Sequence, residues 1–284
     1  MTGVSPVALA TLAAVVFGAA DFTAGRAATR LGAATTAAIV QMMGTILVVV
    51  WLLASSQPML PPSRDLVLGM AAGVADGIAL MLLYWVLAHG KNSVVAPLTG
   101  VLSVAVPTVY ELTFLRMPTA LQIVGVGLAV LAGLVLGAGG HSAAKGDRSA
   151  GLIIGLSLIC GVSFGAGNLL LGLLDGGSAL AGLMWMRLTA ATIAVMLALL
   201  VGGGRERPGA SHALALGAGM LDGIGFACYV LAATGGLISV AVAILSLYAG
   251  MTVLLGAVLL RERIGPIQWL GLATGATSIM LMSR

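Results

Sequence analysis

The stretches AGVADGIALM (residues 72–81) and AGMLDGIGFA (residues 218–227) repeat one core of small residues, Asp, Gly and Ile inside runs that are otherwise apolar. Sliding the chain on itself by 146 residues superimposes them, placing Gly73 on Gly219 and Asp76-Gly77-Ile78 on Asp222-Gly223-Ile224. The same shift pairs Ser93-Val94 with Ser239-Val240, Gln122 with Gln268, Gly125 with Gly271, and Gln41 with Arg187. A shift of 147 sets Phe17-Gly18-Ala19 on Phe164-Gly165-Ala166 and Asp21 opposite Asn168. So steady an offset along most of the chain marks an internal duplication.

Composition names the solvent. Of 284 residues, 60% are hydrophobic and 8% charged, with a mean hydropathy of +1.14. A soluble domain of this length carries roughly a quarter charged residues. Apolar runs near the 20 residues that a helix needs to cross a bilayer lie at 6–25, 33–54, 66–88, 93–115 and 119–138, then at 150–171, 179–201, 211–233, 237–260 and 265–282. The pattern predicts an all-α integral membrane protein of ten transmembrane helices, because a helix satisfies its own backbone in lipid. The opening MTGVSPVALATLAAVVFGAADF has no basic residue ahead of its apolar run and reads as the first span, not as a cleaved signal peptide.

Ten spans and one duplication give two five-helix repeats, residues 1–140 and 150–284, joined by a small and polar linker at 141–149. An odd number of crossings starts the second repeat from the opposite face, so the two are inverted. Inverted repeats are a recurring transporter plan, with the substrate site near the midplane where the repeats meet. A single copy of the chain is expected to suffice for it, with an oligomer as the alternative.

The 13 basic residues are scattered in ones and twos between spans, which speaks for loop placement and against a nucleic-acid surface. Connections after odd-numbered spans hold Arg26, Arg30, Lys91, Lys145, Arg148, Arg205, Arg207, Arg261 and Arg263, whereas those after even-numbered spans hold Arg64, Arg116 and Arg284. Taken alone, that bias puts both termini outside. Cys160 and Cys228 lie in apolar spans with no metal-ligand spacing, so neither a metal nor a disulfide is expected. No phosphate-binding G-x-x-x-x-G-K-[ST] loop occurs and no cofactor is implied, which leaves a gradient as the driving force.

The polar residues inside the spans carry the functional reading. Asp76 and Asp222 fall at the centres of the third and eighth spans, where an ionised carboxylate costs at least about 2.5–3.5 kcal/mol. Neither can face lipid. Arg187, deep in the seventh span, is the expected countercharge for Asp222 or Asp76. Tyr229 lies two turns beyond Asp222 on the same helical face, and Tyr84 holds the similar place after Asp76. Both are expected as phenols on a cavity wall, with Tyr110 and Tyr248 as further candidates. Asp21 and Asn168 take matching places in the first and sixth spans. Glu111, near the end of the fourth, is expected either at the interface or in the cavity. Pro97 and Pro107 predict kinks in that span. The GxxxG spacings at Gly69, Gly73 and Gly77 and at Gly219 and Gly223 predict close helix contacts. GVSFG (161–165) fits the G-x-S-x-G pattern of serine hydrolases, but Ser163 falls mid-span and His89, His141 and His212 fall at span edges, so packing is the expected role.

This pattern resembles the EamA-type transporters of the drug/metabolite transporter superfamily. The stretch LLRERIGPIQWLGLATGATSIML (259–281) is similar to the family's signature between the last two helices of a repeat, with Leu260, Glu262, Arg263, Ile264, Gln268, Trp269 and Gly271 matching. FGAADFTAGR (17–26) looks like the start of a repeat, and Arg187 matches the basic residue common in a unit's second helix. The first repeat departs from the signature, with Arg116 in place of its Glu, and Ala249 stands where members often have Pro. The resemblance implies a secondary transporter, not an enzyme, in the cytoplasmic membrane. It implies a central cavity lined by spans 1, 3, 4, 6, 8 and 9, cytoplasmic termini, alternating access, and export or facilitated passage of small metabolites such as amino acids. Multidrug or lipophilic-cation antiport with protons is the alternative substrate reading, and a non-transporting membrane scaffold is the alternative of a different class.

Overall fold

The computed structural model describes residues 4–89, 92–115, 118–138, 150–201, 209–259, 261 and 264–283. Side chains are described for these apart from residues 83–98, 137–138, 150–151, 153, 201, 249 and 252. All regular structure among them is helical: α1 (Pro6–Leu31), α2 (Ala33–Ala54), α3 (Ser63–His89), α4 (Asn92–Phe114), α5 (Ala120–Ala138), α6 (Ala150–Gly172), α7 (Ala179–Val201), α8 (Ala210–Gly235), α9 (Ile238–Leu245), α10 (Tyr248–Leu259) and α11 (Pro266–Met282).

Local chemistry sets the ends. Pro6 and Pro266 open α1 and α11, where a missing N–H costs no helical bond. Gly32, at φ 81°, donates its N–H to Ala28 and turns the chain from α1 into α2 through one residue, a conformation that disfavours a Cβ. Two equivalent glutamines cap the last helix of each half. The Gln122 Oε1 accepts the Thr119 N–H and the Gln268 Oε1 accepts the Gly265 N–H, each at 2.9 Å.

Six stretches are long and apolar enough to cross a membrane: Pro6–Leu31, Ala33–Ala54, Ser63–Leu82, Ile154–Gly172, Ala179–Leu200 and Ala210–Gly235. Thr99–Phe114 and Ala120–Leu136 are shorter apolar helices. Their outward faces carry exposed Val50, Leu53, Val109, Leu199 and Leu200, far more apolar surface than water tolerates. The protein is a multi-pass membrane protein.

Two expectations need correction. The first helix does not stop at 25 but runs to Leu31, taking Arg26 and Arg30 into its last two turns. The span expected at 237–260 is two helices. At the break the Ser246 hydroxyl donates to the Ala243 carbonyl, and the Leu247 and Gly250 N–H groups reach back only three residues, to Ile244 and Leu247. This tight turn diverts the helical ladder.

Packing runs mainly across the middle of the chain. α1 lies on α8 and on α9 and α10, α2 on α7 and α8, α3 on α6 and α7, α4 on α6, and α5 on α11. The 146-residue offset equates α1 to α5 with α6, α7, α8, the α9–α10 pair and α11, and nearly every contact then has a counterpart. The equivalence holds at single residues. Gly73 meets Met186 and Thr189 of α7, while Gly219 meets Val40 and Met43 of α2. Gly77 meets Ile193, and Gly223 meets Gly44 and Leu47. Gly125 meets Met282, and Gly271 meets Leu136. At Gly73, Gly219 and Gly223 a Cβ would press on the backbone of the facing helix, so these GxxxG spacings are the seats of the crossings.

Candidate functional site

The two repeated Asp-Gly pairs sit on α3 and α8, and each carboxylate has a partner 35 residues earlier. The Gln41 Nε2 of α2 donates to the Asp76 Oδ2 at 3.1 Å. The Arg187 Nη1 of α7 donates to the Asp222 Oδ2 at 2.5 Å. Gln41 and Arg187 occupy equivalent positions, so one interaction is made twice, by an amide in the first half and by a guanidinium in the second. Asp76 (7% exposed) and Gln41 (5%) are buried, whereas the Asp222 side chain keeps 16% of its surface open.

Arg187 is wholly enclosed. Its guanidinium crosses to α2, where Nη2 reaches the Val40 and Gln41 carbonyls at 3.4 and 3.5 Å, and it stands 5.2 Å from the centre of the Phe226 ring. That contact has cation–π geometry. Room for it comes from Gly44, where a Cβ would overlap the guanidinium. The Arg187 Nε and the Gln41 Oε1 have no hydrogen-bond partner among the described atoms.

Asp21 differs from the other two carboxylates. It is exposed, yet it lies on the inner side of α1. One turn before it, Phe17 rests on Gly225 and stacks edge-on against Phe226 of α8, with centroids 4.9 Å apart, and Gly18 lies against Tyr248 and Met251 of α10. Residues three and four apart share a helix face, so Asp21 points between α8 and α10. It lies within electrostatic range of Asp222 and Tyr248, and Asp222 within range of Asp76. Its exposure is therefore to an opening among the helices and not to lipid. Tyr248, 38% exposed, shares that opening.

The other predicted residues divide. Tyr229 is fully buried and its hydroxyl donates to the Asn168 carbonyl at 2.7 Å, so it joins α6 to α8 and is not an accessible phenol on a cavity wall. Asn168 is half-buried beside it. Glu111 is neither at the interface nor in a cavity: it is 2% exposed, and its carboxylate accepts the backbone N–H groups of Ile238 and Ser239 and the Ser239 hydroxyl. There it neutralises the start of α9, where the amides have no helical acceptor. Tyr110 packs on Phe114. Ser163 lies within the unbroken α6, away from the strand-to-helix turn a nucleophile elbow needs. Cys160 and Cys228 are free thiols. The side chain of Tyr84 lies outside the described residues, as do Glu262 and Arg263. Of the remaining signature residues, Gln268 is the cap of α11, Trp269 is exposed on the outer surface, and Gly271 admits Leu136. The Asp65 carboxylate escaped the sequence reading. Buried at the start of α3, it accepts the Asp175 N–H at 3.1 Å and the Ser178 hydroxyl, and so ties down the α6–α7 connection.

Two cavities flank this centre without enclosing it. One, of about 350 Å³, is lined by Pro6, Ala10, Ala232, Gly236 and Val240; the other, of about 480 Å³, by Arg26, Arg30, Ser211 and Leu214. They lie at opposite ends of the antiparallel α1–α8 pair. Along that pair Phe17 and Tyr229 come between the first cavity and the level of Asp21 and Asp222, and both are buried.

Residues 149–284 match the model of the EamA-like transporter family. The matched residues carry Arg187, Asp222 and the α9–α10 break, and the match is consistent with a membrane transporter of the drug/metabolite transporter superfamily. A solved crystal structure superposes on nearly the whole molecule, with a TM-score of 0.78 over 97% of this chain and 95% of the other at 13% identity. That likeness concerns the fold alone. No curated protein sequence matches the chain.

Proposed function

We propose that this protein is a secondary transporter that moves small metabolites across the cytoplasmic membrane by alternating access, as an exporter or facilitator. In this reading the chain makes ten crossings as two inverted repeats, 1–140 and 150–284, with 141–149 as linker. The broken pair α9–α10 counts as one crossing. A single copy in the bilayer carries the pathway, and no nucleic acid or cofactor takes part. The observation that carries the reading is the group Asp21, Asp76, Asp222 and Arg187. Four ionisable side chains are gathered where α1, α2, α3, α7 and α8 meet, and intramembrane ionisable groups are functional by default. The repeated contacts between the halves support it, because inverted-repeat transporters place the substrate at such a junction.

Purified protein in proteoliposomes, screened with labelled amino acids and organic cations with and without a pH gradient, tests the proposal. Saturable flux that falls in Asp76→Asn and Asp222→Asn is the expected result. Flux indifferent to both changes would remove the site assignment. No flux from any probe would favour the scaffold reading, and a hydrolysis product lost in Ser163→Ala the enzyme reading.

A further inference from the structure

We propose that the substrate group recognised by this site is a cation, and that Asp21 is the carboxylate that meets it; this rests on the transporter reading above. A zwitterion such as an amino acid would ask the site for two charges, a carboxylate for its ammonium and a cation for its carboxylate. The only basic side chain at this depth among the described residues is Arg187, and it is closed off on every side: bonded to Asp222, laid over Phe226 and set into the space above Gly44. No substrate atom can approach its guanidinium without breaking an ion pair in a buried setting, where losing one partner costs about 3–5 kcal/mol.

The accessible groups are of the opposite sign. Asp21 is exposed on the face of α1 that packs on α8 and α10, Asp222 keeps part of its side chain open, and the exposed ring of Tyr248 supplies an aromatic surface beside them. Asp76 adds a third carboxylate behind, satisfied by Gln41. Three carboxylates and one sequestered guanidinium leave an acidic chamber, which attracts ammonium groups and repels carboxylates. Asp21 is the one ionisable member of the group for which no hydrogen-bonded or ion-paired side chain is described, so a substrate ammonium meets it without displacing anything. Arg187 then serves as a positioning residue that sets the Asp222 carboxylate.

Uptake into proteoliposomes of three matched probe classes tests this: choline and putrescine as cations, glycine betaine and valine as zwitterions, 3,3-dimethylbutyrate and isobutyrate as anions. Saturable flux of a cation, falling at least about tenfold in Asp21→Asn, as loss of a charge-assisted contact implies, and largely kept in Asp21→Glu, is the expected result. Folding is controlled by placing Asp21→Cys in a Cys160→Ala/Cys228→Ala background. A sulfonate-bearing thiol reagent should restore cation flux there, while a trimethylammonium reagent should not. Flux of zwitterions or anions without cations would overturn the cation assignment and leave the transporter reading standing. Cation exchange that survives in Asp21→Asn, with only pH-driven accumulation lost, would make Asp21 a proton-coupling group and overturn its role here. No flux from any probe would remove both readings.

Discussion

The first half of the molecule makes the Asp-to-partner contact with Gln41, and the second half makes it with Arg187. The surroundings differ by one methyl group to match. Gly44 leaves the space that the Arg187 guanidinium fills, and its equivalent 146 residues on is the buried Ala190, 1% exposed. A glycine accompanies the long cation and an alanine the shorter amide. The duplicated frame thus holds two versions of one lock that differ in charge, and the difference is built into the packing as well as into the polar residue.

The largest expected break is Arg187→Gln, which copies the first half's partner into the second. It strands the Asp222 carboxylate without its cation and leaves space under Gly44, at a cost of about 3–5 kcal/mol, read as a loss of folded protein and a lower Tm in detergent. Gly44→Ala comes next. Its methyl overlaps the guanidinium, and an overpacked contact of this kind costs about 1–3 kcal/mol. The two should not add: with Arg187 already replaced, Gly44→Ala should cost little, and a double-mutant cycle that found simple additivity would show that Gly44 serves something else. Gln41→Arg probes the other half. Alone it should destabilise by about 1–3 kcal/mol through collision with Ala190, and Ala190→Gly should recover much of that; failure to recover would break the equivalence of the two sites. The smallest effects belong to the caps. Gln122→Ala and Gln268→Ala remove the same 2.9 Å bond and should each cost about 0.5–1 kcal/mol, within experimental error of one another.

Much of this could be read from the chain. Apolar length located the helices, because lipid leaves the backbone no other option, and the offset of 146 paired Gln41 with Arg187 before any contact between them and the Asp residues was known. The break at Ser246–Leu247 was not legible, since a run that stays apolar on both sides of a turn has the same hydropathy as a continuous span. Glu111 follows from that miss. Its acceptors' partners are amides freed by the start of α9, 127 residues away, so nothing local to Glu111 announces its role. Tyr229 was placed on the right helix face but given the wrong exposure, because the neighbour that covers it comes from α6. Asp21 was found through its match with Asn168, whereas its openness depends on the seam between α8 and α10.

The crossing of contacts between halves also sets an order of events in time. α1 finds its main partner in α8, α3 in α6 and α7, and α5 in α11. When the first five helices have left the ribosome, the stripes of glycine and the buried Asp76 face lipid or one another, and their partners are still to be made. At ordinary synthesis speeds that interval is on the order of ten seconds. The membrane must shelter half a molecule for that long, and Asp76 has only Gln41 to satisfy it while it waits. An amide that needs no distant countercharge is the partner suited to the half that is born first.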